Sequence, residues 1–422
     1  MEKFNYQEKF EKSIQNTYFS KLSEKNQAFI KKIAFDLLLT YQEIRQLTDF
    51  GNDLQMWNEG DIAKYLDSVQ NNSFKTKKML FDELKKHWDA VKGSAKDYTL
   101  IENFEHKRDQ KIKFKLDTTD HTILGRCPVA SPRTLCCNLQ TLDAARNCGF
   151  DCSYCSIQTF EKGNEVIFEE NFDQKLKNLK ATFDSNKTYH IGTGQASDSL
   201  MWGNKNGILD NLITFCNDNP NVILELKTKS NNIHHLLNVE IPKNMICTWS
   251  LNTDTIISNE EHFTVNLEQR LAAARKIADK NRLVGFHFHP IVYYNNWEKD
   301  YGEIFTKVLT MFKPEEVALI SIGTLTFTKK TLNEIKSREF KTKISQMPLV
   351  EAEGKLSYPD EIKNMIFGHT FNSFKAWHGK VFFYLCMEHR RFWESVFKFE
   401  YPDNESFEKA MKDSYMQKIL RL

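Results

Sequence analysis

The spacing of hydrophobic and polar positions changes part-way along this chain. Up to about residue 115, apolar residues recur at helical intervals, as in NQAFIKKIAFDLLLTYQEIRQL, DIAKYLDSV and KKMLFDELKKHWDAV. Positions three and four apart share one face of a helix, so this spacing predicts helices with one side buried. No proline precedes Pro128, and Gly51 and Gly60 fall at breaks in the pattern. Residues 1–116 are therefore expected to form an N-terminal helical accessory domain that caps the rest. TYQEIRQLTDFGNDLQMW has the outline of a helix-turn-helix, but basic residues do not line its second half, so DNA reading is not expected there.

From about residue 117, short β-rich runs alternate with amphipathic helical stretches. The runs cover residues 135–139, 189–193, 222–228, 246–251, 283–288 and 317–322, and a seventh, 381–387, follows a longer insertion. Between them lie helical patterns such as FDQKLKNLKATF, NGILDNLITFCND and NLEQRLAAARKIADKN. Strand–helix alternation of this kind predicts a parallel sheet with right-handed crossovers. The expected fold class is α/β: a partial (β/α)6 barrel over residues 117–390, with a charged helical extension over 391–422.

Composition narrows this picture. The chain has 422 residues, 41% of them hydrophobic, enough for a large core, and a net charge of +2, so no global basic field points to a polyanion. The first residues, MEKFNYQEKFEKSIQN, are polar, and no apolar run is long enough to span a bilayer. A cytoplasmic location with no membrane partner is expected, and oligomeric state is left open. In a reducing compartment, cysteines act as metal ligands, catalytic thiols or buried small hydrophobes rather than disulfides. Six of the nine cysteines fall between Cys127 and Cys155, which favours metal ligation.

NCGFDCSYCSIQTF places Cys148, Cys152 and Cys155 at C-x3-C-x2-C spacing, so one loop can wrap three thiolates around one centre. Zinc usually takes four ligands from separated C-x2-C pairs, and this uneven triplet suits it poorly. Three ligands to a 4Fe-4S cluster leave one iron open. The open iron can chelate the amino and carboxylate groups of S-adenosyl-L-methionine (SAM), whose reductive cleavage yields a 5′-deoxyadenosyl radical that abstracts a substrate hydrogen.

Further blocks accompany the loop: YHIGTGQASDSLMWG, LELKTKSNNIHHLL, TWSLNTDTIISNEEH, GFHFHPIVYY, LISIGTLTF and VFFYLCMEHRRFW. In order and spacing, from about Cys127 to the C-terminus, they resemble the spore photoproduct lyase-like (DNA repair) branch of the radical SAM superfamily. The resemblance implies a partial barrel with the cluster and SAM at its mouth, an electron donor such as flavodoxin or ferredoxin, and a nucleic-acid substrate. It implies that Tyr154 packs near the adenine and that Gly192 and Gly194 let the backbone approach the SAM amino group. Lys229 resembles the lysine that meets the SAM carboxylate, Ser197 and Ser250 its hydroxyl partners, and Gln195 and Asp198 share the same stretch. These positions fall at the C-terminal ends of predicted strands, where parallel barrels gather their chemistry.

His287 and His289 alternate with Phe288 and so share one strand face. They are candidates for a proton relay or substrate contact, or else form a hydrogen-bonded core pair. Tyr293, with Tyr294 beside it, is a candidate radical carrier or base-stacking ring. Two positions depart from the family pattern. Gln195 stands where the lyases carry the cysteine that returns a hydrogen atom, and Ser156 stands where they carry a relay tyrosine. Cys136, Cys137, Cys247 and Cys386 are the available replacement thiols, and Cys127, Cys136 and Cys137 raise the alternative of a second cluster. Two other readings remain: a radical SAM enzyme acting on a peptide or small metabolite, and a non-catalytic iron–sulfur scaffold.

Overall fold

A computed structural model of the chain describes residues 2–70, 76–99, 108, 111–127, 133–161, 163–352 and 354–422. Part of the proline-containing stretch after Cys127 lies outside these residues, while the expected domain boundary at 116/117 lies within them. The chain divides into two compact units, Met1–His106 with Thr328–Leu349, and Lys107–Phe327 with Val350–Leu422. Among the described residues, no helix is long and apolar enough to cross a membrane.

The first unit is helical. The long apolar run near its start is two helices, Glu24–Leu37 and Tyr41–Met56, because Leu38 turns left-handed (φ 49°) and Thr40 caps the second helix. Thr40 and Glu43 form a reciprocal capping box, which satisfies two backbone N–H groups that a continuous helix would not have exposed. The helix-turn-helix outline is therefore a single helix. The sequence reading kept this unit contiguous, but residues 328–349 return to it. Asp53 accepts from Trp88 Nε1 at 3.0 Å and from Lys336 Nζ at 2.8 Å, and Trp57 Nε1 donates to Ser345 Oγ at 2.7 Å. Lys343 Nζ meets Glu59 Oε1 at 2.6 Å. Polar groups this deeply placed need partners, and Asp53 and Trp57 find theirs 283 and 288 residues away in the sequence.

The second unit is built on one curled sheet. Its parallel strands are β1 (Gln140–Leu142), β2 (Tyr189–Thr193), β3 (Val222–Thr228), β4 (Met245–Ser250), β5 (Val284–Ile291), β6 (Val317–Thr324) and β7 (Phe382–Leu385). They lie in sequential order, and Leu124–Arg126 pairs antiparallel outside β1. Five of the six predicted barrel strands match to within a few residues. The first does not: residues 135–139 are irregular and the strand begins at Gln140. Asn138 is left-handed (φ 51°) and the Cys136 N–H is taken by Asn404 Oδ1 at 2.9 Å, so the apolar run cannot join the ladder. The seventh run does join the sheet, as β7 beside β6.

β3 and β4 are buried almost throughout, as expected for strands covered on both faces. Thr134, just before β1, bridges His389, just after β7, so the sheet curls until the two ends of the parallel run meet. The C-terminal helix Asn404–Ile419 packs Phe407 and Tyr415 against Phe382 of β7, which makes it part of this unit rather than an appendage.

Candidate active site

The cysteine loop sits where β1 has left the sheet, held by local geometry and by one distant clamp. Asn147 is left-handed (φ 68°), and its side chain accepts from the Cys148 N–H at 2.9 Å and donates to Glu165 O at 2.9 Å. Asp151–Cys152 forms a two-residue antiparallel bridge with Glu261–His262, extended by Ser153 N–H donating to Glu260 O at 2.8 Å. Among the described residues, the one group of three or more His, Cys, Asp or Glu ligand atoms within 4.8 Å of each other is Asp117, His121 and Glu169. The three cysteine sulfurs are thus spread wider than the ~3.8 Å separations that a tetrahedral zinc with Zn–S near 2.3 Å requires. A cluster in which each thiolate takes a different iron does not require the sulfurs to lie that close. Burial pushes the Cys148 thiol up to about 12 and the Cys152 thiol well above its ordinary value, so iron loading would release protons.

The turn after β2 supplies the neighbouring wall. Gly194 has φ +88°, and a Cβ there would come within 2.7 Å of Lys227 O and 2.8 Å of Ser199 Oγ. Gly194→Ala is expected to cost about 2–4 kcal/mol, from left-handed strain plus overlap with backbone. A lowered thermal midpoint would check this, and an unchanged one would show that the turn relaxes freely. Asp198 spends both oxygens on the protein: Oδ1 accepts from Leu200 N, Met201 N and Thr228 Oγ1, and Oδ2 from Lys229 N at 2.7 Å. Its geometry is that of a positioning residue tying the β2 turn to the end of β3. Ser197 Oγ accepts from Trp202 Nε1 at 2.9 Å, while Gln195 is half-buried beside them.

Lys229, at the end of β3, lies with its ammonium 5.8 Å from the Tyr154 ring centre. Burial works against its charge, but Glu261 and the nearby Cys152 outweigh it and raise its pKa. Among the described residues, no acceptor is within hydrogen-bond reach of its Nζ. Tyr154 donates its hydroxyl to Glu261 Oε1, and Glu261 pairs with the wholly buried Arg270 at 2.6 Å. Arg270 Nη1 in turn donates to the backbone carbonyl of Ser250 at 2.9 Å. Burial alone would raise the Glu261 pKa; Arg270 and Lys229 hold it below the usual value. Glu261 and Arg270 were not singled out in the sequence. They come from the segment after β4, and only the long-range bridge to Cys152 brings them to the loop.

Inside the barrel, His287 Nε2 contacts Glu225 Oε1 at 2.6 Å, and His190 Nε2 contacts Glu225 Oε2 at 3.0 Å. Burial, then the positive charge of Lys227, pulls His287 down to about 4, so the neutral ring serves as a partner of Glu225. His289 shares that face and has a pKa lowered by the same two causes. Its ring keeps some exposure, and it packs against Gly323, where an added Cβ would come within 2.7 Å. Tyr293 groups instead with Trp297 and Tyr358, each with ring centres 6.2 Å away. The structure therefore brings Cys152, Cys155, Tyr154 and Lys229 together, places His287 and His289 in the interior, and sets Tyr293 in an aromatic cluster.

A family profile described as spore photoproduct lyase matches residues 140–357, about half the chain. The spore photoproduct lyase of Clostridium acetobutylicum is 28% identical over 197 residues, 46% of this chain and 58% of that protein. That of Bacillus subtilis is 27% identical over 169 residues, 39% of this chain and 49% of that one. The chain thus spans about half the length of the curated relatives it matches. A solved spore photoproduct lyase variant with bound AdoMet and dinucleoside spore photoproduct superposes with TM-score 0.56 at 17% identity, over 73% of this chain and 94% of that one. Another, complexed with dinucleoside spore photoproduct, gives TM-score 0.53 at 21% identity over 57% and 75%. These structures share the fold of the second unit's curled sheet.

Proposed function

The chain belongs to the spore photoproduct lyase family, and from that premise we propose that it is a radical SAM enzyme whose substrate is nucleic acid or a fragment of it. The observation that carries the reading is the convergence of Lys229 with Cys152, Cys155 and Tyr154 at one rim of the barrel. Cys148, Cys152 and Cys155 would hold a 4Fe-4S cluster, and Gly194, Lys229 and Ser250 would line the SAM site. When bound, the cluster and SAM would together supply an electron and a 5′-deoxyadenosyl radical for hydrogen abstraction.

The chain's own residues do the rest. Lys229 would hold a carboxylate, since Glu261 keeps its ammonium charged and, among the described residues, it has no hydrogen-bond acceptor of its own. Tyr154 presents a ring face whose hydroxyl is anchored by Glu261, so the ring is oriented before any ligand arrives. Gly194 holds the left-handed turn that packs against Lys227 O and Ser199 Oγ, and so shapes the wall beside Lys229. Asp198 fixes the backbone from which Lys229 projects.

Gln195 supports a second reading, in which the substrate or the closing step differs from thymine photoproduct repair. A carboxamide does not donate a hydrogen atom as a thiol does, and Ser156 likewise lacks a phenol.

The test is anaerobic reconstitution with iron and sulfide, followed by dithionite and SAM. About four irons per chain and formation of 5′-deoxyadenosine are expected. Lys229→Ala should weaken SAM binding about tenfold to a hundredfold, the worth of a charge-assisted hydrogen bond, with iron content unchanged. Zinc in place of iron, or a cluster that never cleaves SAM, would overturn the enzymatic reading and leave a binding scaffold.

A further inference from the structure

The strand Lys113–Asp117 forms the open edge of a three-stranded sheet, parallel to Glu165–Glu169. Its first four residues are exposed, including two large apolar side chains, Phe114 at 49% and Leu116 at 53%. Residues two apart share a strand face, so Phe114 and Leu116 fall on one side and Lys113 and Lys115 on the other. Lys205 Nζ stands 4.3 Å from the Phe114 ring centre. Lys115 meets Glu165 at 2.6 Å, an exposed pair that leaves Lys113 and Lys205 as excess positive charge. Lysines on an open edge deter unwanted strand pairing. A large aromatic left half exposed beside them does not serve that purpose.

The position of this face gives it a use. Phe114 packs edge-on against Trp202, with ring centres 5.5 Å apart. Trp202 in turn covers the cysteine loop, where a Cβ added at Gly149 would come within 2.7 Å of it. Beside it, Met201 Sδ lies 3.9 Å from Cys148 Sγ. One side chain, Trp202, thus separates the exposed Phe114 from the loop that carries Cys148. Lys229, with Tyr154 5.8 Å away, stands by Cys152 and Cys155 instead, so the two approaches to the loop use different cysteines.

We propose that the exposed strand Lys113–Asp117, with Lys205, is the face on which a small acidic one-electron carrier protein docks to reduce the cluster. The inference rests on the radical SAM reading above and names a partner for it. One electron leaves the carrier and enters the cluster, and no bond is made or broken. Electron transfer slows steeply with distance, which favours the surface nearest a cluster ligand. A carrier that must leave after each delivery needs only a small interface, under about 1,200 Å² in total. An apolar centre with a cationic rim suits such an encounter, because opposite charge speeds association without making it permanent.

The experiment uses the reconstituted full chain with two acidic carriers as probes, a flavodoxin and a plant-type ferredoxin. Binding of each is measured by calorimetry at low and at high salt. Cluster reduction is followed by stopped-flow absorbance, with dithionite as the reductant that needs no docking. In Lys113→Glu/Lys205→Glu, carrier binding and carrier-driven reduction should both weaken about tenfold or more at low salt, and the loss should shrink at high salt. Phe114→Ser should weaken binding at both salt concentrations, since an apolar contact is not screened. Iron content, SAM affinity and reduction by dithionite should stay within about twofold in each variant. If the double variant does not fold, Lys113→Glu alone carries the charge comparison. Lys380→Glu, just before β7 and so at the end of the sheet opposite the mouth, is the control and should bind both carriers as wild type does. Wild type that dithionite reduces but neither carrier binds, or carrier affinities indifferent to these variants, would overturn the proposal. Loss of affinity for single-stranded oligothymidylate in the charge variant, with carrier binding intact, would also overturn it and assign the face to nucleic acid. A cluster that never forms, or never cleaves SAM with dithionite, would overturn the radical SAM reading and the proposal with it.

Discussion

Replacing Cys152 with alanine is expected to abolish iron loading and with it the formation of 5′-deoxyadenosine, while leaving the fold in place. The reason lies in what the substitution removes. Cys152 is buried and its backbone pairs with Glu261, a bridge that alanine keeps. Only the sulfur is lost, at about 1 kcal/mol or less of apo-protein stability. Two thiolates cannot hold a cluster that needs three, so the effect on chemistry is total while the effect on folding is small. Iron content, visible absorbance and deoxyadenosine yield would be read together with the thermal midpoint. Cys216→Ala and Cys247→Ala provide the contrast: both cysteines are buried packing residues, one on the helix Ile208–Asp218 and one on β4, and neither variant should lose iron. Deoxyadenosine formation retained in Cys152→Ala would refute the ligand assignment.

Arg270→Met is expected to produce the largest loss of stability, about 3–5 kcal/mol, because it strands Glu261 as an unpaired buried carboxylate. Arg270 is 0% exposed and holds Glu261 at 2.6 Å, Thr264 Oγ1 at 2.7 Å, and the carbonyls of Ser250 and Val265 at 2.9 Å each. It therefore fastens the end of β4, the following segment and, through Glu261, the cysteine loop. The pH dependence has a definite sign. In the wild type, the Glu261 pKa is depressed, so its contribution is present above the unfolded value of about 4.3 and fades as pH falls through the folded value. Without Arg270, burial dominates and protonation relieves the cost, so the gap between variant and wild type should narrow in acid. Urea unfolding at neutral and acid pH would measure this, and adding Glu261→Gln should recover part of the loss at neutral pH. A gap that does not change with pH would mean that Arg270 acts through its backbone contacts alone.

The order of strands along the chain was legible because it depends on local pattern. β6 reads as a nearly continuous apolar run and is buried throughout, and a reader of the sequence needs no neighbour to see it. The C-x3-C-x2-C loop is equally local, since three thiolates within eight residues converge whatever the rest of the chain does. Conformations that depend on one residue were harder. The break at Leu38 and the late start of β1 after Asn138 both turn on a left-handed backbone that apolar spacing does not reveal.

What only the tertiary structure decided is how residues distant in sequence answer one another's charge. Asp198 in the sequence looks like a ligand contact, yet its carboxylate is used up by backbone N–H groups and Thr228, partners that appear only when β2 lies beside β3. Glu261 and Arg270 carry no motif, but the bridge to Cys152 makes them the buried support of the loop. Residues 328–349 join the helical unit because Asp53 and Glu59 need cations that Lys336 and Lys343 supply. Periodicity encodes which side of an element is buried, and the sequence by itself determined that much for this protein. Whether a buried polar group is satisfied or left for a ligand depends on partners hundreds of residues away, and only the fold brings those partners together.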